Sequence, residues 1–323
     1  MCGPPGRPIV GASPTPSAMN RPTSRSPMRT AARWAGRVGL ALVALILAAA
    51  GTVYALSERK LHVKRPLQAH AIAVTSDSAT IARGKHLATI RGCTDCHGAN
   101  FRGNTIIDDP AVGRVSGPNL TAGGRGPALT DADWELAVRH GVRRDGTQLV
   151  VMPSNEFTVL SDEDLAAIIA YARSLPADSH ATPAMRVGPV IRTMFAAGKL
   201  NILPAGEIEH GASHLARIAA DTTVAYGKYV AAGCQGCHNP SLSGGKIPGA
   251  PPDWKPAANI TPEGIGHYTR AAFFTALREG KRPDGTAIAP PMPIAMTKQM
   301  TDTELTALYA YLRTVPSKPY AVR

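Results

Sequence analysis

The sequence has few aromatic residues, few cysteines and no long run of alternating apolar and polar residues. Phe, Trp and Tyr together make up 5% of its 323 residues. Domains of about 100 residues built from such a composition would have small apolar cores, which a large buried apolar ligand could complete. Because alternating runs are missing, the sequence predicts helices and loops in place of sheets.

Acidic residues and lysines are absent from residues 1–37, which contain six arginines. These arginines account for half of the formal net charge of +12, so the basic character belongs largely to this leader. No basic patch interleaved with aromatic residues is found elsewhere, and the sequence therefore predicts no nucleic-acid partner. The leader is rich in Pro and Ser and lacks an apolar period, so it is predicted to be disordered.

Charged residues are also missing from residues 38–56, VGLALVALILAAAGTVYAL. As a helix this segment would span roughly 28 Å, close to the ~30 Å hydrocarbon core of a bilayer. It is predicted to anchor the chain in a membrane as a single pass, with the arginines in the cytoplasm. A cleavable signal peptide, with a cleavage site at residues 53–55, is the alternative. Both interpretations place the remaining chain outside the cytoplasm.

Four of the five cysteines lie in two copies of a C-x-x-C-H motif. This motif is typical of c-type haem attachment, in which two thiols bind the vinyl groups and the His is the proximal iron ligand. A four-cysteine zinc site needs its pairs ~15–20 residues apart, and a thioredoxin-like dithiol explains neither the duplication nor the histidines. The sequence therefore predicts two covalently bound haem c groups and gives Cys2 no role. The motif residues are Cys93, Cys96 and His97, and Cys234, Cys237 and His238.

The motif is one part of an internal repeat. Residues 160–176, LSDEDLAAIIAYARSLP, align without a gap to residues 300–316, MTDTELTALYAYLRTVP. Capping residues open this final helix in both copies, and a proline ends it. We therefore expect an all-α fold with two tandem haem domains behind one N-terminal transmembrane helix. The expected segments are a disordered leader (1–37), an anchor (38–56), a tether (57–77), domain one (78–176), a connector (177–222) and domain two (223–318).

The repeat also predicts the distal iron ligands. Met152 and Met292 lie 55 and 54 residues after the motif histidines, and each directly precedes a proline. Met296 and Met300 are alternatives in the second copy, but they align with other residue types in the first and are expected to be packing residues. Because His/Met ligation leaves no open coordination position, it favours single-electron transfer over an enzymatic activity of the chain itself.

The remaining histidines are given lesser roles. His140 and His267 are alternative axial ligands, although a His near a helix end is more often solvated or capping. His210 and His214 are spaced i, i+4 and could bind a metal if they were helical, but no third ligand adjoins them, so we expect surface residues. A proximal His also needs a hydrogen-bond acceptor for its second ring nitrogen. The repeat predicts the carbonyls of Pro118 and, in the second copy, Ala258.

Each copy resembles the cytochrome c domain, through its C-x-x-C-H motif, its SGPNL-like loop (116–120), its Met-Pro pair and its final helix. As a tandem pair behind a membrane helix, the chain resembles the membrane-anchored di-haem cytochrome c proteins of bacteria. Some of these are electron-transfer subunits of dehydrogenases for alcohols, aldehydes or sugar acids, and residues 259–262 and 277–285 are especially similar to that group. Residues 143–146 depart from its R-P-D-G form.

The resemblance implies a dehydrogenase as electron donor and a quinone, an oxidase or another cytochrome as acceptor. A di-haem cytochrome c peroxidase is the alternative from a different functional class, because it would require an open or displaceable distal position. A haem sensor or structural membrane protein is a third hypothesis.

Overall fold

The computed structural model of the chain describes residues 1–3, 6, 11, 27–251 and 253–322. It divides into two units, Met1–Gly51 and Thr52–Arg323. Most of the predicted disordered leader, residues 12–26 above all, lies outside the described residues.

Helix α1 (Pro27–Leu61) contains the predicted anchor and extends beyond it at both ends. Residues 27–37 are therefore helical, in contrast to the predicted disorder, because the helix continues from the charge-free run into arginine-bearing turns. Within the described chain, residues Ala31–Leu61 form the one helix that is long and apolar enough to cross a membrane. An N-terminal signal sequence would have the same length and composition.

The first repeat contains five helices and a hairpin. Its first and last helices are the longest, and the C-x-x-C-H motif forms a short helix of its own. The helices are α2 (Ser78–Ile90), α3 (Cys93–His97), α4 (Asp131–His140), α5 (Ser154–Phe157) and α6 (Asp162–Ser174), and the hairpin strands are β1 (Asn104–Asp109) and β2 (Gly113–Gly117).

The connector between the repeats contains strand β3 (Arg186–Val187), helix α7 (Pro189–Ala196) and a 3-10 turn at Pro204–Glu207. Phe195 at the end of α7 is buried together with Ile202 and Leu203. The connector is therefore a packed segment and not an extended linker.

The second repeat has the same order of helices without a hairpin. One additional short helix, α10, follows the loop after its motif. The helices are α8 (Val224–Ala231), α9 (Gln235–His238), α10 (Pro262–Ile265), α11 (Arg270–Glu279), α12 (Ile294–Thr297) and α13 (Asp302–Leu312).

A small antiparallel sheet corrects the all-α expectation. Strand β2 pairs with β1 on one side and with β3 of the connector on the other. Nearly all of β1 is exposed to solvent, so it has no buried face and lacks the alternation that would reveal a strand in the sequence. The Asp109 carboxylate fixes the hairpin turn by accepting hydrogen bonds from the backbone N–H groups of Ala111 and Val112, both at 2.8 Å.

Local capping signals mark the helix ends. Helix α4 begins with a capping box between Thr130 and Asp133, and α13 begins with the equivalent box at Thr301. Helices α4 and α11 end at Gly141 and Gly280, whose φ angles of 64° and 67° lie in the left-handed region that glycine adopts readily. The ends of these helices are thus encoded locally.

In each repeat the first and last helices cross at a glycine. A Cβ atom at Gly84 would lie 1.9 Å from the backbone oxygen of Ala167, and one at Gly227 would lie 1.9 Å from that of Ala307. No side chain fits into either gap. Glycine therefore allows α2 to contact the backbone of α6, and α8 to contact that of α13.

The two repeats share one continuous hydrophobic core, and polar contacts cross between them in reciprocal pairs. His86 Nε2 lies 2.8 Å from a carboxylate oxygen of Glu304, and the Tyr229 hydroxyl donates to the carboxylate of Asp164. Gly84 and Gly227 align the repeats so that His86 and Tyr229 are equivalent positions, as are the two acids. The repeats therefore pack with approximate two-fold symmetry.

We expect Gly84→Ala and Gly227→Ala each to destabilise the chain by about 2 kcal/mol or more, because the added methyl group forces the crossing helices apart. Thermal unfolding of the purified protein measures the effect. Gly211→Ala is the matched control, since a Cβ atom there meets nothing within 4 Å. Equal unfolding midpoints for all three variants would contradict this account of the crossing.

Candidate functional site

Each C-x-x-C-H motif directly follows the first helix of its repeat. The first is helix α3, and the second continues from a 3-10 turn at Ala232–Cys234 into α9. All motif cysteines are free thiols. Burial raises the pKa of Cys93 to about 12 and that of Cys234 to about 11, so both thiols are protonated at neutral pH. Each motif thus presents two neutral thiols and an imidazole on one helical turn.

Backbone carbonyls orient both motif histidines. His97 Nδ1 lies 3.0 Å from the Pro118 oxygen, and His238 Nδ1 lies 2.7 Å from the Ala258 oxygen. These are the two carbonyls that the repeat predicts. Because a carbonyl only accepts, Nδ1 carries the proton and Nε2 keeps its lone pair for a metal. Burial lowers the pKa of both histidines, which keeps the rings neutral.

Two asparagines hold the loops that supply these carbonyls. The side-chain amide of Asn119 donates to the backbone carbonyl of Asp178 at 2.7 Å. The side-chain amide of Asn259 donates to the backbone carbonyl of Lys318 at the same distance. Each asparagine also accepts from the threonine two residues later. Neither asparagine is among the predicted site residues, although the Asn-Leu/Ile-Thr pattern that recurs in both repeats was the available signal.

Met152 and Met292 lie in equivalent loops before α5 and α12, and both are half-buried. Met152 packs against the core cluster, as does Cys93. Directly before it, Val151 has a φ angle of 68°, which β-branched residues rarely adopt, and its N–H donates to the Ile202 oxygen at 2.9 Å. The connector thus holds the loop that carries Met152.

The alternative ligands lie in other surroundings. Met300 is buried in the core, as expected of a packing residue. Met296 reaches across the interface, since a Cβ atom at Gly92 would lie 3.6 Å from its sulfur. His267 is exposed and contacts Tyr268 edge-on. In the described part of the chain, none of these three side chains makes a hydrogen bond.

His140 belongs to a separate cluster with Glu135, His210 and His214. The prediction that His210 and His214 are surface residues without a third ligand is therefore wrong. The two are not helical, and their neighbours come from α4, about 70 residues earlier in the chain, so sequence spacing gave no sign of the contact.

Arg91 is close to both motifs, and Glu156 adjoins the second motif. The Arg91 guanidinium donates to the backbone carbonyl oxygen of Tyr229 at 3.1 Å and lies 4.8 Å from the centre of the Tyr229 ring. Its charge lowers the pKa of Cys93 and of Cys234 against the effect of burial, so it is close to both motifs. The Glu156 carboxylate fills the space beside Gly236, inside the second motif. The attachment motifs therefore adjoin the interface between the repeats.

The cytochrome c family model matches residues 81–176 and 224–316. The chain belongs to the cytochrome c family. The cytochrome c subunit of a quinone alcohol dehydrogenase from Gluconacetobacter polyoxogenes is 28% identical over 286 residues, covering 76% of this cytochrome and 58% of the relative. The gluconate 2-dehydrogenase cytochrome c subunit of Pantoea cypripedii is 27% identical over 287 residues, covering 75% and 61%.

The fructose dehydrogenase cytochrome subunit of Gluconobacter japonicus is 39% identical over 93 residues, covering 26% of this cytochrome and 19% of the relative. The chain spans about three-fifths of the length of the first two relatives. All three are named as cytochrome subunits of dehydrogenases, which indicates an electron-transfer role, and the peroxidase alternative finds no support among them.

Cytochrome c domains bind haem c covalently, and the residues of this cytochrome fit that group. Each motif offers two unpaired thiols and a neutral imidazole whose Nε2 is free. The low aromatic content of the chain agrees with a large buried apolar ligand.

We expect Glu156→Gln to stabilise the protein in a pH-dependent manner. Burial raises the pKa of Glu156 to about 7, from an ordinary value of 4.5, while Arg91 opposes the shift. The carboxyl therefore contributes full stability below about pH 4.5, and this contribution is lost as the pH rises through about 7. The neutral amide avoids this loss, so the gain should be on the order of 1 kcal/mol at about pH 8 and small at about pH 5.

Unfolding midpoints of the wild-type and variant proteins at the two pH values measure this effect. Glu263→Gln, at an exposed position on α10, is the control and should change neither midpoint. A gain of the same size at both pH values would mean that the titration of Glu156 is not its source.

Proposed function

We propose that the chain is a di-haem c-type cytochrome that relays single electrons on the periplasmic side of the cytoplasmic membrane. The observation that carries the proposal is the duplication of a complete site, in which a C-x-x-C-H motif, a carbonyl-oriented His and a Met-Pro loop recur at equivalent positions. Cys93 and Cys96 would attach the first haem, and Cys234 and Cys237 the second.

In this proposal the iron ligands are His97 and Met152 in the first repeat, and His238 and Met292 in the second. Each bound haem supplies a reversible one-electron couple. The carbonyls of Pro118 and Ala258 hold the histidine rings in one tautomer and increase their basicity. The methionine thioethers raise the reduction potential and occupy the position at which a substrate would bind.

The packing of the repeats supports transfer between the two sites within one chain. The motifs adjoin a shared core, and reciprocal contacts from His86 and Tyr229 to acids of the opposite repeat hold the interface. A rigid interface would keep the two sites at one separation. Arg91 at this interface places a positive charge close to both motifs.

We further propose that a dehydrogenase donates the electrons and that a quinone, an oxidase or another cytochrome accepts them. The names of the relatives support a dehydrogenase partner. Helix α1 would hold the cytochrome at the membrane as a single-pass anchor, so that donor and acceptor meet it in the same plane.

We expect Met152→Leu and Met292→Leu each to lower the reduction potential of one haem by on the order of 100 mV, within the ~0.8 V range that axial ligands control. Both variants should retain two haems, because the thioether bonds are untouched. Optical redox titration measures the two potentials. Met296→Leu is the matched control, and a variant of Met152 or Met292 with both potentials unchanged would contradict the ligand assignment.

Purification of the native membrane complex in a mild detergent tests the partner. We expect a dehydrogenase subunit to co-purify in stoichiometric amount and to reduce the haems when its substrate is added, with mass spectrometry identifying the subunit. The double variant Cys93→Ser/Cys96→Ser cannot attach the first haem. It should still co-purify with the dehydrogenase subunit, but electron transfer through the cytochrome should be slower. A cytochrome that purifies alone and is reduced only by other carriers would contradict the dehydrogenase proposal.

A further inference from the structure

A buried carboxylate and three histidines meet where the end of α4 contacts the connector. Glu135 is fully buried and His140 is 5% exposed, while His210 and His214 are half-buried. Glu135, His140 and His214 each offer one ligand atom, and these atoms lie within 4.8 Å of one another. His140 Nδ1 also lies 3.0 Å from His210 Nδ1. The cluster joins two segments that are distant in sequence.

Backbone carbonyls fix the protonation of these rings. His210 Nε2 lies 3.0 Å from the Ala205 oxygen, and His214 Nδ1 lies 3.0 Å from the Thr158 oxygen. Because carbonyls only accept, both nitrogens carry protons. In a neutral His210 the Nδ1 atom then carries a lone pair. His140 Nδ1 must therefore be the donor in the contact between the two rings.

This hydrogen-bond chain leaves lone pairs directed at an acid. His140 Nε2 keeps its lone pair and lies 3.2 Å from Glu135 Oε1. Among the described residues, this carboxylate oxygen is buried without any hydrogen-bond donor. Two acceptors at this distance repel each other unless a cation lies between them. A proton on His140 Nε2 would be shared with Glu135 Oε1 and would remove the repulsion between these two atoms. The lone pair of His214 Nε2 is a third acceptor nearby, which such a proton does not require but a metal ion would.

We propose that Glu135, His140 and His214 bind a divalent transition metal of the zinc class, with His210 as a positioning residue for His140. Neutral imidazoles and a carboxylate are the donors that zinc and its late first-row neighbours prefer. Two ligands at about 2.0–2.1 Å from a tetrahedral zinc lie roughly 3.3 Å apart, close to the observed contact of His140 with Glu135. The half-buried His214 provides an entry path and leaves room for water as a fourth ligand.

The state of the rings agrees with this proposal. A metal ligand must be a neutral imidazole, and the contacts of His210 Nε2 and His214 Nδ1 with carbonyls leave the second nitrogen of each neutral ring as an acceptor. The hydrogen bond from His214 Nδ1 to a carbonyl is the outer contact that histidine ligands commonly make, and His210 has the same effect on His140.

Two arginines place positive charge near the cluster. Arg65 acts on His210, and Arg139 Nη1 lies 3.8 Å from Glu135 Oε1. Arg139 Nη2 pairs with Asp162 at 2.7 Å, which offsets part of its charge. Among the described residues Glu135 Oε1 has no hydrogen-bond donor, so it can still act as a ligand to a cation.

The second repeat serves as an internal comparison. There Phe274 and Glu279 occupy the positions of Glu135 and His140, whereas the pair of Arg139 with Asp162 is retained as Arg278 with Asp302. The fold of the repeat therefore needs the ion pair but not the histidine cluster. The cluster is a feature of the first repeat and the connector, which a bound metal would clamp together.

Zinc titration of the full-length, haem-loaded protein in detergent tests the proposal, with a purification tag that contains no histidine. After treatment with a chelator, elemental analysis should find one zinc regained per chain, counted against haem iron. Calorimetry should show affinity lowered about 100-fold in Glu135→Gln and His214→Ala and about 10- to 100-fold in His210→Phe. His214→Asp, which keeps a ligand atom, should retain part of the affinity.

Zinc-dependent unfolding provides a second readout. Zinc should raise the unfolding temperature of the wild type and of His62→Ala, an exposed control, but not that of His214→Ala. Unchanged iron content verifies that the variants are folded. The proposal is overturned if zinc leaves wild-type unfolding unchanged, as a protonated His140–Glu135 pair requires, or if the wild type and His214→Ala bind zinc equally.

Discussion

The contact of two helix backbones at a glycine is the constraint on which each haem domain depends. The motif follows α2 after two residues, and the Met-Pro loop precedes α6. The crossing at Gly84 therefore fixes where the proposed proximal and distal ligands lie relative to one another, and Gly227 has the same function in the second repeat. A side chain at either position would displace both ends of the site together.

The interface between the repeats uses residues that already have a local function. Glu304 closes the capping box of α13, and its carboxylate also contacts His86 of the other repeat. Asp164 occupies the same helix position in α6 and accepts from Tyr229. Because the Glu304 carboxylate serves both in helix capping and in domain packing, the relative placement of the two sites is coupled to the start of α13.

The first repeat carries additions that the second does not have. The hairpin, β3 of the connector and the cluster of Glu135 with the connector histidines all lie on it. The N–H of Val151 also bonds to the connector beside Met152. The connector is thus structurally a part of the first domain, and the environments of the two sites differ although their proposed ligand sets are alike.

The sequence by itself determined the haem motifs, the helix caps and the carbonyls of Pro118 and Ala258, because each depends on short-range spacing that the repeat displays twice. It did not predict β1, whose exposed residues lack alternation, or the helical turns before residue 38. Only the tertiary structure brought Glu156 beside the second motif and His210 and His214 to α4. Contacts between residues so far apart in the chain leave no periodic pattern, since they depend on how the elements pack.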